Sequence, residues 1–420
     1  MNRKKNGGRE LPQGRSLTAH ESSFLENRQS IYDQLRSHAP RYQDNEYGRT
    51  LLTKFDDVRL ALKNPTFSVK AKFSREDSYL RRLAATGLES YEGGTAYEPP
   101  LVLLDDPDHR RVRTLINKFF TPNAVKNMAV SIENIASELL DAFDNKKEVD
   151  LITDYAAPLS TLVMIKMLGL PANVAKNMRK WSEAVLMGYD PERNSIAKKD
   201  LRIAFIEMGK IFKKNLQVEE NIAERNLISV MVQAKEKEGL LSELEIISLC
   251  TQLMGAGNVT TSDLIGNGLF ALMNDRKVLE SLLQNPNLLD RAVEEMLRFD
   301  CPISETGRVA RQSTQINDHL IDAHETVTAS LSAANHDPKK FPKPSQFRLD
   351  RLKNDHLAFG SGIHFCIGAA LARLETKIAI RELLSRHPKI RLNSKKVPVR
   401  RTLPFFSGFT SITVDLPDNN

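Results

Sequence analysis

Apolar residues recur at helical spacing through most of the middle of the chain. Between about Asp106 and Leu297, stretches such as VKNMAVSIENIASELLDAF and LITDYAAPLSTLVMIKMLGLP place an apolar residue every three or four positions. They break at Pro, Asn or Asp, which predicts a succession of amphipathic helices. The longest, from about Ser242 to Met273, far exceeds the ~11–12 residues of an average helix. It is apolar around most of its circumference, as a helix buried through the middle of a domain must be. Ahead of the helices, RYQDN and YGRTLLT read as a β-hairpin. After Asp300 come the short strand patterns RVARQSTQI and HLIDAHETVTASL, then a Pro-rich irregular stretch. A final amphipathic helix starts just after Cys366, and FFSGFTSITVDL reads as closing strands. With no internal repeat and no linker, the economical fold is one α+β, mainly α, domain over residues 18–420. Residues 1–17 read as a flexible tail.

Composition narrows the class. The chain of 420 residues is 41% hydrophobic and 27% charged, enough to bury a large core. No run approaches the ~18 apolar residues that span a bilayer, and the basic start MNRKKNGGRELPQGRS has no apolar stretch behind it to make a signal peptide. A cytoplasmic protein without a membrane anchor is expected. The formal net charge of +7 is modest, and no basic–aromatic module points to nucleic acid. The three cysteines, Cys250, Cys301 and Cys366, are too few for a disulfide framework and contain no CxxC pair.

The chemistry concentrates in FGSGIHFCIGAALARLE, Phe359 to Glu375. Glycines 360, 362 and 368 permit tight turns and close backbone approach to something flat and bulky. Cys366 precedes a helix, where unpaired amides and the helix dipole favour a thiolate. A buried free cysteine is the bland alternative; a zinc site using His364 and Cys366 lacks a second ligand pair. The segment resembles the heme-binding signature of the cytochrome P-450 family, Phe-Gly-x-Gly-x-His-x-Cys-x-Gly-x-x-Leu-Ala. It matches at Phe359, Gly360, Gly362, His364, Cys366, Gly368, Leu371 and Ala372. The resemblance implies the single-domain fold of that family, of the bacterial soluble class. Heme b (iron protoporphyrin IX) would lie between the long central helix and the helix after the cysteine loop, with Cys366 as axial iron ligand. A thiolate in that position pushes electron density to iron and favours O–O cleavage.

Other segments fit the same resemblance. Glu295 and Arg298, three apart on one helix face, match the family's Glu-x-x-Arg pair about 70 residues before the cysteine and would brace the irregular region. Heme propionates need cations in a buried site. The resemblance offers His109 and Arg113, one helical turn apart, then Arg308 and His364. ANHDPKKFPKPSQFRLDR also follows the family pattern, so the likeness covers nearly the whole chain after the tail.

On the long helix the family carries Ala/Gly-Gly-x-acid-Thr-Thr/Ser, and this chain has Ala256-Gly257-Asn258-Val259-Thr260-Thr261. A Thr260 hydroxyl bonded to the Ala256 carbonyl would bend the helix and open a groove beside Gly257. Valine at 259 cannot carry a proton. Asn258, Thr260 and Thr261 are then the polar groups offered for oxygen chemistry. The resemblance implies a monooxygenase that inserts one atom of O2 into a small apolar or amphipathic substrate, with electrons from a ferredoxin and ferredoxin reductase. Arg110, Arg111, Lys118 and Arg373 form a candidate docking face. Gly255, Ala256, Val259, Ile303, Ser304, Phe405 and Phe406 are the expected substrate contacts. A lid at about Phe73–Leu104 and a helix pair near Trp181–Tyr189 would close the pocket. A peroxide-driven or isomerising enzyme and a non-catalytic heme-thiolate binding protein stand as alternatives.

Overall fold

A computed structural model describes residues 11–84, 98–218, 226–238 and 240–417. Its axis is the central helix, Glu243–Asn274. Ser242 starts it with a reciprocal cap: its hydroxyl accepts from the Glu245 amide at 3.1 Å, and the Glu245 carboxylate accepts from the Ser242 amide at 2.8 Å. Buried side chains occur all around this helix. It packs against a flanking helix, Ala157–Leu168, a roof helix, Ala175–Met187, and a brace helix, Leu289–Phe299. It also packs against the proximal helix, Ala369–Arg386. One continuous apolar core runs through all five helices.

The expected hairpin forms, with Arg41–Asp44 antiparallel to Arg49–Leu52. It is the edge of a five-stranded sheet in which Arg49–Leu52 runs parallel to Thr326–Ser330. That strand pairs antiparallel with Glu305–Ala310, and Glu305–Ala310 with Phe67–Ser68. The strand 305–310 carries Arg308 toward the cysteine loop. Inside the region read as helical, Glu148–Asp150 is instead a strand, because it pairs with Thr413–Asp415 far along the chain.

Residues 1–10 of the expected tail lie outside the described residues. Gly14–Leu17 forms a short 3-10 turn with Leu17 buried, and the Gly14 amide donates to Asp44 Oδ1 at 2.8 Å. The packed body therefore begins before residue 18. Part of the expected lid, residues 85–97, is also outside the described residues. Among the described residues no helix is long and apolar enough to cross a membrane.

Candidate functional site

The cysteine loop is closed by its own backbone: the Cys366 amide donates to the Phe359 carbonyl at 2.9 Å. Gly360 and Gly362 hold left-handed backbone at φ 71° and 76°, where a side chain is strained. At Gly362 a Cβ would also lie 2.4 Å from the Leu62 carbonyl oxygen. Cys366 is exposed at the surface of this loop, whereas Cys250 and Cys301 are buried. Desolvation pushes the Cys366 thiol up, against smaller pulls downward from the Gly368 amide, Arg113 and Arg373. A bound metal would add the positive charge that deprotonates a coordinating thiol. Behind the loop, Arg373 stacks on Phe359 at 4.6 Å and forks onto Glu294 at 2.6 and 2.9 Å. Both contacts fix the ring beside the cysteine.

Four basic groups converge at the loop. His109 and Arg113 share one face of the helix Asp108–Asn117. The His109 ring lies 4.3 Å from that of His364, and Arg113 donates to the Phe365 carbonyl at 2.7 Å. Arg308 is buried, and its donors reach only Thr306 Oγ1 at 3.2 Å and the Gly307 carbonyl at 2.7 Å. Among the described residues no carboxylate forms an ion pair with Arg308 or Arg113. Burial brings Arg308 down to about 10. His364 falls to about 3, through burial first and then the charges of Arg308, His109 and Arg113. His109 is lowered by the same causes, burial before Arg113, and its Nε2 is buried without a hydrogen-bond partner. Two arginine charges short of counter-ions, beside two neutral imidazoles able to donate hydrogen bonds, match an anion with two carboxylates, which is what heme propionates present. The residues fit that group.

Midway along the central helix lies an open patch. Ala256 is exposed and Gly257 and Thr260 are partly exposed, between the buried Gly255 and Thr261. The Thr260 hydroxyl donates to the Ala256 carbonyl as expected.

Tertiary packing accounts for three of the sequence-assigned positions. Asn258 is buried with its amide turned away, donating to Thr161 Oγ1 at 3.0 Å and accepting from Arg179 at 3.5 Å. It is occupied by helix packing and leaves the polar set to Thr260 and Thr261. Gly257 makes no groove of its own: a Cβ there would lie 2.4 Å from Met164 Sδ, so the glycine admits the flanking helix. Gly255 is buried, and a Cβ there would lie 3.0 Å from Val185 Cγ1, so this glycine admits the roof helix.

The remaining substrate assignments meet. Val259, Phe405 and Phe406 belong to one buried apolar cluster with Tyr47, Tyr79, Leu186 and Leu403, and Ile303 packs on it. Ile303 bridges Phe406, and the Ser304 amide donates to the Phe405 carbonyl at 2.9 Å, tying that strand entry to the C-terminal turn. Of the proposed docking cations, Arg111 is committed inward to Glu245 and the Leu240 carbonyl, and Arg110 pairs with Asp106. Lys118 is exposed. Sequence reasoning missed Asp263, Arg179 and Arg401, because the Asp263–Arg401 and Arg179–Asn258 contacts join residues far apart in the chain.

The family model described as cytochrome P450 matches residues 44–287 and 280–401. Cytochrome P450 CYP107DY1 of Priestia megaterium is 37% identical over 345 residues, covering 81% of this chain and 82% of that protein. Among solved structures, P450BioI in complex with hexadec-9Z-enoic acid ligated acyl carrier protein superposes with a TM-score of 0.85 at 31% identity. That match covers 94% of this chain and 100% of the other. Myxobacterial CYP267B1 in complex with myristic acid gives 0.86 at 29% identity, covering 95% and 99%.

Proposed function

The chain belongs to the cytochrome P450 family and is a heme-dependent P450 monooxygenase, and from that premise we propose that Cys366 is its axial iron ligand and that its substrate is a mainly apolar, fatty-acid-like molecule. The observation that carries the ligand assignment is the exposed Cys366 on a glycine-bent loop, with His109 and His364 in ring contact beside it and Arg113 and Arg308 in no carboxylate ion pair among the described residues. Those four groups hold the propionates. Phe359, Gly360 and Gly368 shape the loop around the sulfur, and Ala256 with Gly257 backs the opposite face. When bound, the heme supplies the activation of dioxygen that protein side chains cannot.

The chain's own residues bind, orient and manage protons. Thr260, with its hydrogen committed to the Ala256 carbonyl, keeps its lone pairs for a water, and Thr261 stands beside it as a second hydroxyl. Val259, Ile303, Phe405 and Phe406 form an apolar wall that holds substrate by area burial, at about 25 cal/mol per Å². The acyl and myristic-acid ligands of the two structural relatives support an aliphatic chain. Electrons arrive from a ferredoxin and its reductase at the cysteine side, where Lys118 and Arg110 remain exposed. The site of action is the cytoplasm.

Replacing Cys366 by Ala abolishes the red-shifted ferrous–CO band from which the family takes its name, while Cys250→Ala and Cys301→Ala keep it. Survival of the band in C366A, or its loss in either other variant, refutes the ligand assignment. A second reading rests on Val259, which is fully buried among apolar side chains and leaves no acid at that position. It makes the enzyme peroxide-driven. Product formed from hydrogen peroxide as fast as from the complete electron-donor system would favour it.

A further inference from the structure

One helical turn beyond Val259, on the same face of the central helix, Asp263 is completely buried. Its Oδ1 accepts from Arg401 at 3.2 Å, and its Oδ2 has no hydrogen-bond partner. The carboxylate points at the C-terminal turn so closely that a Cβ on Gly408 would lie 2.2 Å from its Cγ. Arg401, itself buried, also reaches Glu183 of the roof helix at 4.0 Å. Glu183 accepts from Arg179 at 2.8 Å, and Arg179 in turn reaches Asn258. The network therefore leaves the central helix at Asp263, crosses the C-terminal turn and roof helix, and returns to the central helix at Asn258. Val259 lies between its two ends.

The two elements it ties down also build the pocket wall. The roof helix contributes Leu186 and Met187 to the apolar cluster around Val259, and the turn contributes Leu403, Phe405 and Phe406. We propose that Asp263 is a positioning residue of the substrate pocket: through Arg401, Glu183 and Arg179 it clamps the roof helix and the 401–408 turn onto Val259 and so sets how tightly an apolar substrate is enclosed. The proposal rests on the reading of this cluster as the substrate wall. Burial raises Asp263 to about 6 against the pull of Arg401 and Arg179. Holding an incompletely paired carboxylate there is costly, and a well-packed apolar residue is often more stable in such a place. A clamp accounts for keeping it. Direct proton delivery does not, since the Thr260 hydroxyl is turned to Ala256 and no observed contact joins it to Asp263.

The test uses the heme-loaded protein and methyl myristate, a neutral probe, with affinity read from the low-to-high-spin shift. Imidazole, which coordinates iron directly, serves as the control. Asp263→Asn weakens methyl myristate binding about tenfold and imidazole binding less than about twofold. It also speeds amide exchange across 175–187 and 401–408. Asp263→Glu restores most of the affinity, which a purely volumetric role would not allow. If D263N fails to accumulate, R401M breaks the same link from its other end and is read the same way. Unchanged methyl myristate affinity with unchanged exchange overturns the clamp. If the native protein does not bind methyl myristate, the substrate reading falls, and the exchange rates alone then decide the clamp: faster exchange confined to those two segments supports it, and native exchange rejects it.

Discussion

Arg298 and Arg308 are both buried, ten residues apart, and their surroundings are opposites. Arg298 is saturated. It forks onto Glu295 at 2.7 and 2.8 Å and donates to the carbonyls of Asn335, Pro344 and Gln346. Glu295 in turn accepts from the Arg348 amide, Arg351 and Asn354, so one ion pair gathers the irregular stretch that leads to the cysteine loop. Arg308 donates only to a hydroxyl and a carbonyl, and feels the charge of Asp105 without forming an ion pair with it. A buried charge whose partners are all supplied by the fold serves the fold; one left short is held for a ligand.

The largest expected effect comes from breaking the saturated pair. Glu295→Ala or Arg298→Met leaves a lone charge or orphaned carbonyls in the core and should cost about 3–5 kcal/mol, read as a drop in thermal stability and failure to retain heme. Arg308→Met removes a charge that has no ion pair among the described residues. Its heme-free form should unfold no earlier than native, while heme affinity falls about tenfold to a hundredfold. Heme dimethyl ester, whose propionates are neutral, should bind the native protein more weakly than heme and bind R308M nearly as well. Destabilisation of heme-free R308M as severe as that of R298M would erase the distinction.

Glu375 applies the same comparison to an acid. It is buried in the proximal helix, has Ser160 as its polar neighbour, and leaves Oε1 unpartnered. Desolvation raises it to about 8, with only a small opposing pull from Ser160. A carboxyl raised above its unfolded value of about 4.5 contributes stability that is complete below that value and disappears as pH rises through about 8. The native protein should therefore lose about 2 kcal/mol between pH 6 and pH 9 that Glu375→Gln does not lose. Parallel unfolding curves for the two proteins over that range would show that Glu375 has a partner after all.

The saturated region was the legible one. Glu295 and Arg298 sit three apart on one helix, and the cysteine loop is a single run of residues with fixed glycine spacing, so local sequence carries both. The central helix and its cap at Ser242 follow from periodicity and a Ser-x-x-Glu start. The pocket side was less legible because long-range packing decides it. Asp263 and Arg401 are 138 residues apart, and nothing in either neighbourhood announces the other. Gly257 shows the same limit: the sequence motif suggested a groove, and the tertiary neighbour Met164 explains the glycine. Asn258 carried the right chemistry but was already engaged by Thr161. Strand 148–150 sits inside a helical pattern, and only its distant partner at 413–415 makes it a strand.

The smallest effect should come from adding an acid where none exists. Val259→Asp puts a carboxyl into the apolar cluster, between cations that are already committed: Arg401 to Asp263, and Arg179 to Glu183 and Asn258. Buried among apolar side chains with no cation of its own, that carboxyl should stay protonated at neutral pH, at a stability cost of about 1–3 kcal/mol. A proton held in the turn beside Thr260 is what valine cannot provide. The product formed per NAD(P)H consumed should then rise by about twofold, with a matching fall in hydrogen peroxide, a barrier change well under about 1 kcal/mol. The comparison of the two regions turns on this sign. A gain means that an uncompensated acid on the pocket side is functional wherever it is placed. Unchanged coupling in V259D, with tight coupling already present in the native protein, means that waters held by Thr260 and Thr261 deliver protons without an acid. The pocket side would then need only its hydroxyls.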